Sequence, residues 1–204
     1  MLNSLDRAQG WSDSPLTDVG KQTAAELGHK LKSINFNATY ASDTLRAVQT
    51  AELVLGENKS SDIPIKKDAR LREWCLGNFE AENSKEFIKH ILNCNKNLKA
   101  SELNQHLPEI CNTIKLTDTT GMAEKFDDIT KRLISFFKDV GEHQLNIGEG
   151  KILVVTHAFV IKTILHMFAY SELKNTDRIS NSSATVITYD GSNFSVKAVN
   201  KLPF

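Results

Sequence analysis

The chain has 204 residues, 40% of them hydrophobic, enough for one sizeable core or one domain with an appended subdomain. Its 25 basic and 25 acidic residues cancel, so no overall field favours nucleic acid or an anionic membrane. No apolar run approaches the roughly 20 residues of a membrane span, and Met1-Leu2-Asn3-Ser4-Leu5-Asp6-Arg7 lacks the apolar stretch of a signal peptide, so the expected compartment is the cytoplasm.

In chain order, Thr17 is a candidate N-cap, with Asp18 adding favourable charge, for a helix on which Ala24, Leu27, Leu31 and Ile34 recur at helical spacing. A short strand is predicted over Ala38-Thr39-Tyr40-Ala41. A second helix comes next, capped by Ser42 or Asp43, with Leu45, Val48, Ala51 and Leu55 as its apolar face. Ile63 to Lys67 reads as a strand before the segment from Arg70 to Phe79. From Ser84 to about Thr120 the chain turns polar with helical patches, which predicts a helical insertion or cap. A long helix then carries Phe126, Ile129, Leu133, Phe136 and Phe137.

Lys151 to Thr156 is the strongest strand, its continuous apolar run suiting burial on both faces. A helix is predicted from Phe159 to Phe168. The end reads as a hairpin, Ala184–Tyr189 and Phe194–Val199 around Asp190-Gly191. Strands alternating with helices predict a three-layer α/β/α fold with a mostly parallel sheet. Ligands in such folds gather beyond the carboxyl ends of the strands. Arg46, just inside a helix after a strand, and His157, at the end of another, both belong there.

Cys75, Cys94 and Cys111 form no Cys-x-x-Cys pair and suit free thiols in a reducing compartment. His90 and Cys94 can share a helix face, but with no second ligand pair they are read as ordinary surface and core residues, and no metal is expected.

Arg46 offers a planar fork for two phosphoryl oxygens near the partial positive charge of a helix N-terminus. Alone, it reads as a solvated surface residue. His157 alone reads as a histidine satisfied in the core, and Glu73 alone as a surface partner of Arg70 or Arg72.

Context changes those readings. Ala41-Ser42-Asp43-Thr44-Leu45-Arg46-Ala47-Val48-Gln49-Thr50-Ala51, Leu71-Arg72-Glu73 and Val154-Val155-Thr156-His157 occur in the order of the later motifs of the histidine phosphatases. The opening through Arg7-Ala8-Gln9-Gly10-Trp11-Ser12-Asp13-Ser14-Pro15-Leu16-Thr17 resembles the stretch just beyond that family's first motif. The chain therefore resembles the histidine phosphatase superfamily in its phosphoglycerate-mutase-like branch, over nearly its whole length. The resemblance implies one domain over residues 1–204, with a helical cap at about 84–120, acting on a small-molecule phosphate ester without metal or other cofactor.

It also implies the roles. Arg46 and His157 hold the phosphoryl oxygens, Glu73 donates the proton to the leaving group, Asn3 lies near the transferred phosphate, and Gln9 and Gly10 line the substrate mouth. The family has His-Gly where this chain has His157-Ala158, a change expected to be tolerated.

The departure is the first motif, Arg-His-Gly-x-Thr, whose histidine is the family's nucleophile. It does not occur in this sequence, and Met1-Leu2-Asn3 resembles only its tail. The expectation is an N-terminally truncated chain, inactive as it stands, lacking the first, central strand of the sheet. The function expected of the completed protein is phosphoric monoester hydrolysis through a phosphohistidine. The alternatives are a phosphoglycerate mutase, or a noncatalytic relative binding phosphate ligands or protein. Between Trp74 and Lys131 there is no Arg, which favours a phosphatase over a mutase handling a bisphosphate. Oligomeric state is not encoded in any readable pattern.

Overall fold

The computed structural model describes residues 2–201, and the side chains of Asn3 and Ser4 lie outside that description. Thr17 caps the first helix, α1 (Asp18–Lys30), its hydroxyl accepting the Gly20 amide at 3.1 Å. Ala24, Leu27, Leu31 and Ile34 are all buried, as their spacing predicts. Strand β1 (Ala38–Ala41) leads into α2 (Leu45–Gly56), then β2 (Ile65–Lys67).

Two expectations about α2 need correction. Its N-cap is Thr44, not Ser42 or Asp43, because the Asp43 carboxylate is committed to Arg72 at 2.7 and 2.6 Å. The free amide of Leu45 is taken instead by Asp13, at 2.6 Å. Leu45 is also exposed, leaving Val48, Ala51 and Leu55 as the buried face.

The expected insertion is helical. Asn83 caps α3 (Ser84–Cys94), a 3-10 turn spans Ala100–Gln105, and α4 (Leu107–Thr117) comes after it. The long helix α5 (Phe126–Ile147) buries Ile129, Leu133 and Phe136. Then come β3 (Ile152–Val155), α6 (Ala158–Phe168), the unpredicted short α7 (Tyr170–Lys174), and the hairpin β4 (Ala184–Tyr189) and β5 (Phe194–Lys201). Gly191 takes φ +95° in the hairpin turn, a value that suits glycine.

The sheet order is β2-β1-β3, all parallel, with Ala41 opposite Val155 at the carboxyl ends. Helices cover both faces, an α/β/α arrangement. Ile152 and Val154 pack with Phe136 and Val140 of α5, while Leu153 packs with Leu27 and Leu31 on the α1 side. The hairpin forms a separate antiparallel pair. The apolar run of β3 predicts burial on both faces, yet all four of its residues remain half-exposed. Among the described residues no strand pairs with its outer edge, so solvent reaches the apolar run from that side.

Candidate active site

Parallel pairing brings the ends of β1 and β3 out side by side, where the Ser42 amide donates to the Val155 carbonyl at 2.9 Å. Two helix starts therefore face each other. Arg46 lies in the first turn of α2, and His157 is the N-cap residue of α6. The Thr44 hydroxyl stands 3.4 Å from His157 Nε2 and 3.3 Å from the Ser42 hydroxyl, a short polar line between the two strand ends.

Glu73 arrives from the loop after β2. Its neighbour Leu71 is fully buried, and the Leu71 carbonyl accepts the Thr156 hydroxyl at 2.8 Å, which ties that loop to the end of β3. The Glu73 carboxylate accepts the amides of Phe159 at 3.0 Å, Val160 at 3.1 Å and Trp74 at 3.1 Å. It thus occupies the free amides at the start of α6, where negative charge is favoured. The surface-pair reading of Glu73 fails, because Arg70 pairs with Asp68 and Asp139 and Arg72 with Asp43, while Glu73 is only 4% exposed.

The electrostatics draw these groups together. Burial raises the Glu73 carboxyl above its ordinary range, against the pull of the Phe159 and Trp74 amides and of the Arg46 and Arg132 charges. Burial, then the charges of Arg46 and Arg132, hold His157 well below its ordinary value, so the ring is neutral near pH 7. Burial also lowers Arg46, opposed by Glu73, Asp13 and Glu80.

The opening segment wraps this site. Arg46 donates to the carbonyls of Gly10 at 2.7 Å and Ser12 at 2.9 Å, and lies 3.6 Å from the Asp13 carboxylate. Gln9 reaches the Ser12 carbonyl at 3.1 Å and the Ser14 hydroxyl at 3.0 Å, so its side chain braces the loop. Gly10 permits a close approach, though here to protein: a Cβ would overlap the Trp74 carbonyl and the Glu80 carboxylate. Asn3 falls in the 3-10 turn Leu2–Leu5, and its side chain lies outside the described residues.

Several organising residues carry no motif. Glu80 accepts the amides of Gly10, Trp11 and Ser12 at 3.1, 2.8 and 2.9 Å, gathering three successive donors on one carboxylate. Arg132 of α5 donates to the carbonyls of Arg70, Arg72 and Glu73 at 2.6, 2.7 and 3.0 Å and pairs with Glu124 at 2.8 Å. A family pattern reveals side chains that meet the ligand; these meet backbone far away in sequence.

The family model described as "Histidine phosphatase superfamily (branch 1)" matches residues 1–202. The chain belongs to the histidine phosphatase superfamily. Among similar solved structures is the phosphoglycerate mutase of Bacillus anthracis str. Sterne, 32% identical with a TM-score of 0.92, covering 99% of this chain and 88% of that one. Bacillus stearothermophilus YhfR is 30% identical with a TM-score of 0.73, covering 98% and 91%. A broad-specificity phosphatase of Saccharomyces cerevisiae is 28% identical over 196 residues, 94% of this chain and 76% of that protein.

Among the described residues of this histidine phosphatase superfamily member, no three His, Cys, Asp or Glu stand together as metal ligands. His90 contacts Thr117 and Cys94. Burial raises the Cys75 thiol and pushes Cys111 up to about 12. No helix among the described residues is long and apolar enough to cross a membrane.

Proposed function

We propose that this member of the phosphatase and mutase superfamily transfers the phosphoryl group of small phosphate monoesters at the Arg46, Glu73 and His157 cluster. The observation that carries the reading is the meeting of a cation, a buried carboxyl pushed toward protonation and a neutral histidine at two adjoining strand ends. Arg46, turned from the loop carbonyls, would hold two phosphoryl oxygens, and His157 would donate to a third as charge develops. Glu73 would give its proton to the leaving oxygen as the phosphorus–oxygen bond breaks, then take one from the water that attacks the phosphoenzyme.

The attacking nitrogen belongs to a histidine on a strand absent from this sequence, seated between β3 and β4. Two features support that lane. Helix α5 touches both sides of it, through Phe136 and Val140 beside Ile152 and Val154 and through Phe137 and Gly141 beside Phe194 and Tyr189. Helix α1 does the same on the other face, through Leu27 beside Leu153 and Thr23 bonded to Ser182. A strand added there would pair with β3 and complete the sheet.

The experiment compares the chain beginning at Met1 with one extended through an in-frame Arg-His-Gly strand. The extended form should release phosphate and form an acid-labile phosphoenzyme, and the shorter form neither. Turnover by the shorter chain that Arg46→Ala abolishes would overturn the assignment of the nucleophile.

Mutase activity is the second reading, favoured by the likeness to the Bacillus anthracis mutase. Against it, the insertion carries lysines, Lys85, Lys89, Lys96, Lys99 and Lys115, but no arginine to hold a second phosphate in two-point fashion. Conversion of 3-phosphoglycerate to 2-phosphoglycerate, primed with 2,3-bisphosphoglycerate, against phosphate release from the same ester separates the two.

A further inference from the structure

A cleft of about 490 Å³ opens between the helical insertion and α6, within the volume range of small-molecule sites. Phe87, Ile91, Leu103 and Leu107 of the insertion and Phe159 of α6 make its walls apolar. Phe159 joins the cleft to the site: its amide holds the Glu73 carboxylate at 3.0 Å, and its ring, stacked on Trp74 at 4.9 Å, forms part of the wall. Arg46, Glu73 and His157 do not themselves line the cleft; Phe159 is the residue shared between it and the site.

The same cleft contains one half-buried cation. Lys162 lies three residues beyond Phe159, about 4.5 Å along the helix, and its ammonium is 5.3 Å from the Phe159 ring centre. It donates to Asn104 Oδ1 at 2.6 Å. Asn104 is held in turn by donating to the carbonyls of Thr176 and Asp177, at 2.7 and 2.8 Å, which keeps its oxygen aimed at the lysine. Among the described residues no carboxylate lies within ion-pair distance of Lys162. Of the charges around it, Glu73 favours the ammonium and Arg178 opposes it, while Asp177 stands exposed at the rim of the cleft. A partly desolvated ammonium with a single neutral partner is poorly compensated, and an anion would complete it.

We propose that this cleft receives the leaving group of the phosphate ester, and that Lys162 selects leaving groups with an apolar body ending in a carboxylate. The inference rests on the phosphoryl-transfer reading above.

The test uses two esters of nearly equal bulk whose phenols have nearly equal acidity, 4-(carboxymethyl)phenyl phosphate and 4-isobutylphenyl phosphate. The chain carrying its nucleophile strand should prefer the carboxylated ester by tenfold or more in kcat/KM, and Lys162→Met should erase that preference. Equal rates on both esters, or a preference that survives Lys162→Met, would overturn the cleft assignment and leave the phosphatase reading standing. Hydrolysis of neither ester would count against the phosphatase reading. Titration with the two corresponding phosphonates, monitored by tryptophan fluorescence, then decides the cleft. Tighter binding of the carboxylated analogue that Lys162→Met removes supports it, and equal binding overturns it.

Discussion

The guanidinium of Arg132 donates to the carbonyl of Glu73 at 3.0 Å while its other nitrogens hold the carbonyls of Arg70 and Arg72 and the Glu124 carboxylate. Glu124 in turn accepts the Cys75 amide at 3.0 Å. One ion pair thus fixes the backbone on both sides of the proposed acid. Arg132→Met should destabilise the protein by about 3–5 kcal/mol, since it strands a largely buried carboxylate and three carbonyls. Urea denaturation should show this as a lower midpoint with unchanged slope, and adding Glu124→Gln should recover part of the loss.

Replacing Glu73 by Gln keeps an oxygen for the α6 amides but removes the transferable proton. In the chain that carries its nucleophile, turnover should fall about 10²- to 10⁴-fold, the usual worth of a positioned acid. The variant should still fold, which circular dichroism checks. Turnover within threefold of the parent would remove Glu73 from the mechanism.

The two buried titrating groups give opposite pH slopes. His157, held below its ordinary 6.5, takes up a proton more readily when unfolded. Its contribution is therefore full above about that pH and is lost as pH falls toward the folded value. Glu73, raised above its ordinary 4.5, contributes fully below that pH and loses stability as pH climbs to its folded value. Denaturation between pH 4 and 8 should accordingly show a shallower slope near pH 6 in His157→Gln. The slope just above pH 4.5 should flatten in Glu73→Gln.

Thr39, fully buried in the middle of β1, leaves its hydroxyl without a hydrogen-bond partner. Thr39→Val keeps the branched shape and removes the unsatisfied group. It should stabilise the fold by about 1 kcal/mol, seen as a raised midpoint in denaturation.

Local rules carry much of this fold. Thr17 caps its helix through its own side chain, and the apolar spacing of α1 and the run of β3 identify their elements without reference to distant partners. Arg46, Glu73 and His157 stand out in the sequence for a different reason, because each sits in a string that resembles a histidine phosphatase motif. Leu45 and the cap of α2 escape prediction because they depend on Asp13, which folds back from 32 residues earlier. Glu80 and Arg132 are equally illegible. Their partners are peptide groups, which any sequence supplies, so nothing in the residue types marks the contact.

Among the described residues no strand pairs with the outer edge of β3, along Ile152-Leu153-Val154-Val155, four apolar residues without a charge or proline to deter another chain. Such an edge is a template. The chain should therefore self-associate through strand pairing as its concentration rises, and light scattering should register this at micromolar levels. A free peptide with the pattern of the companion strand should suppress the association, acting as a chaperone for the sheet it completes.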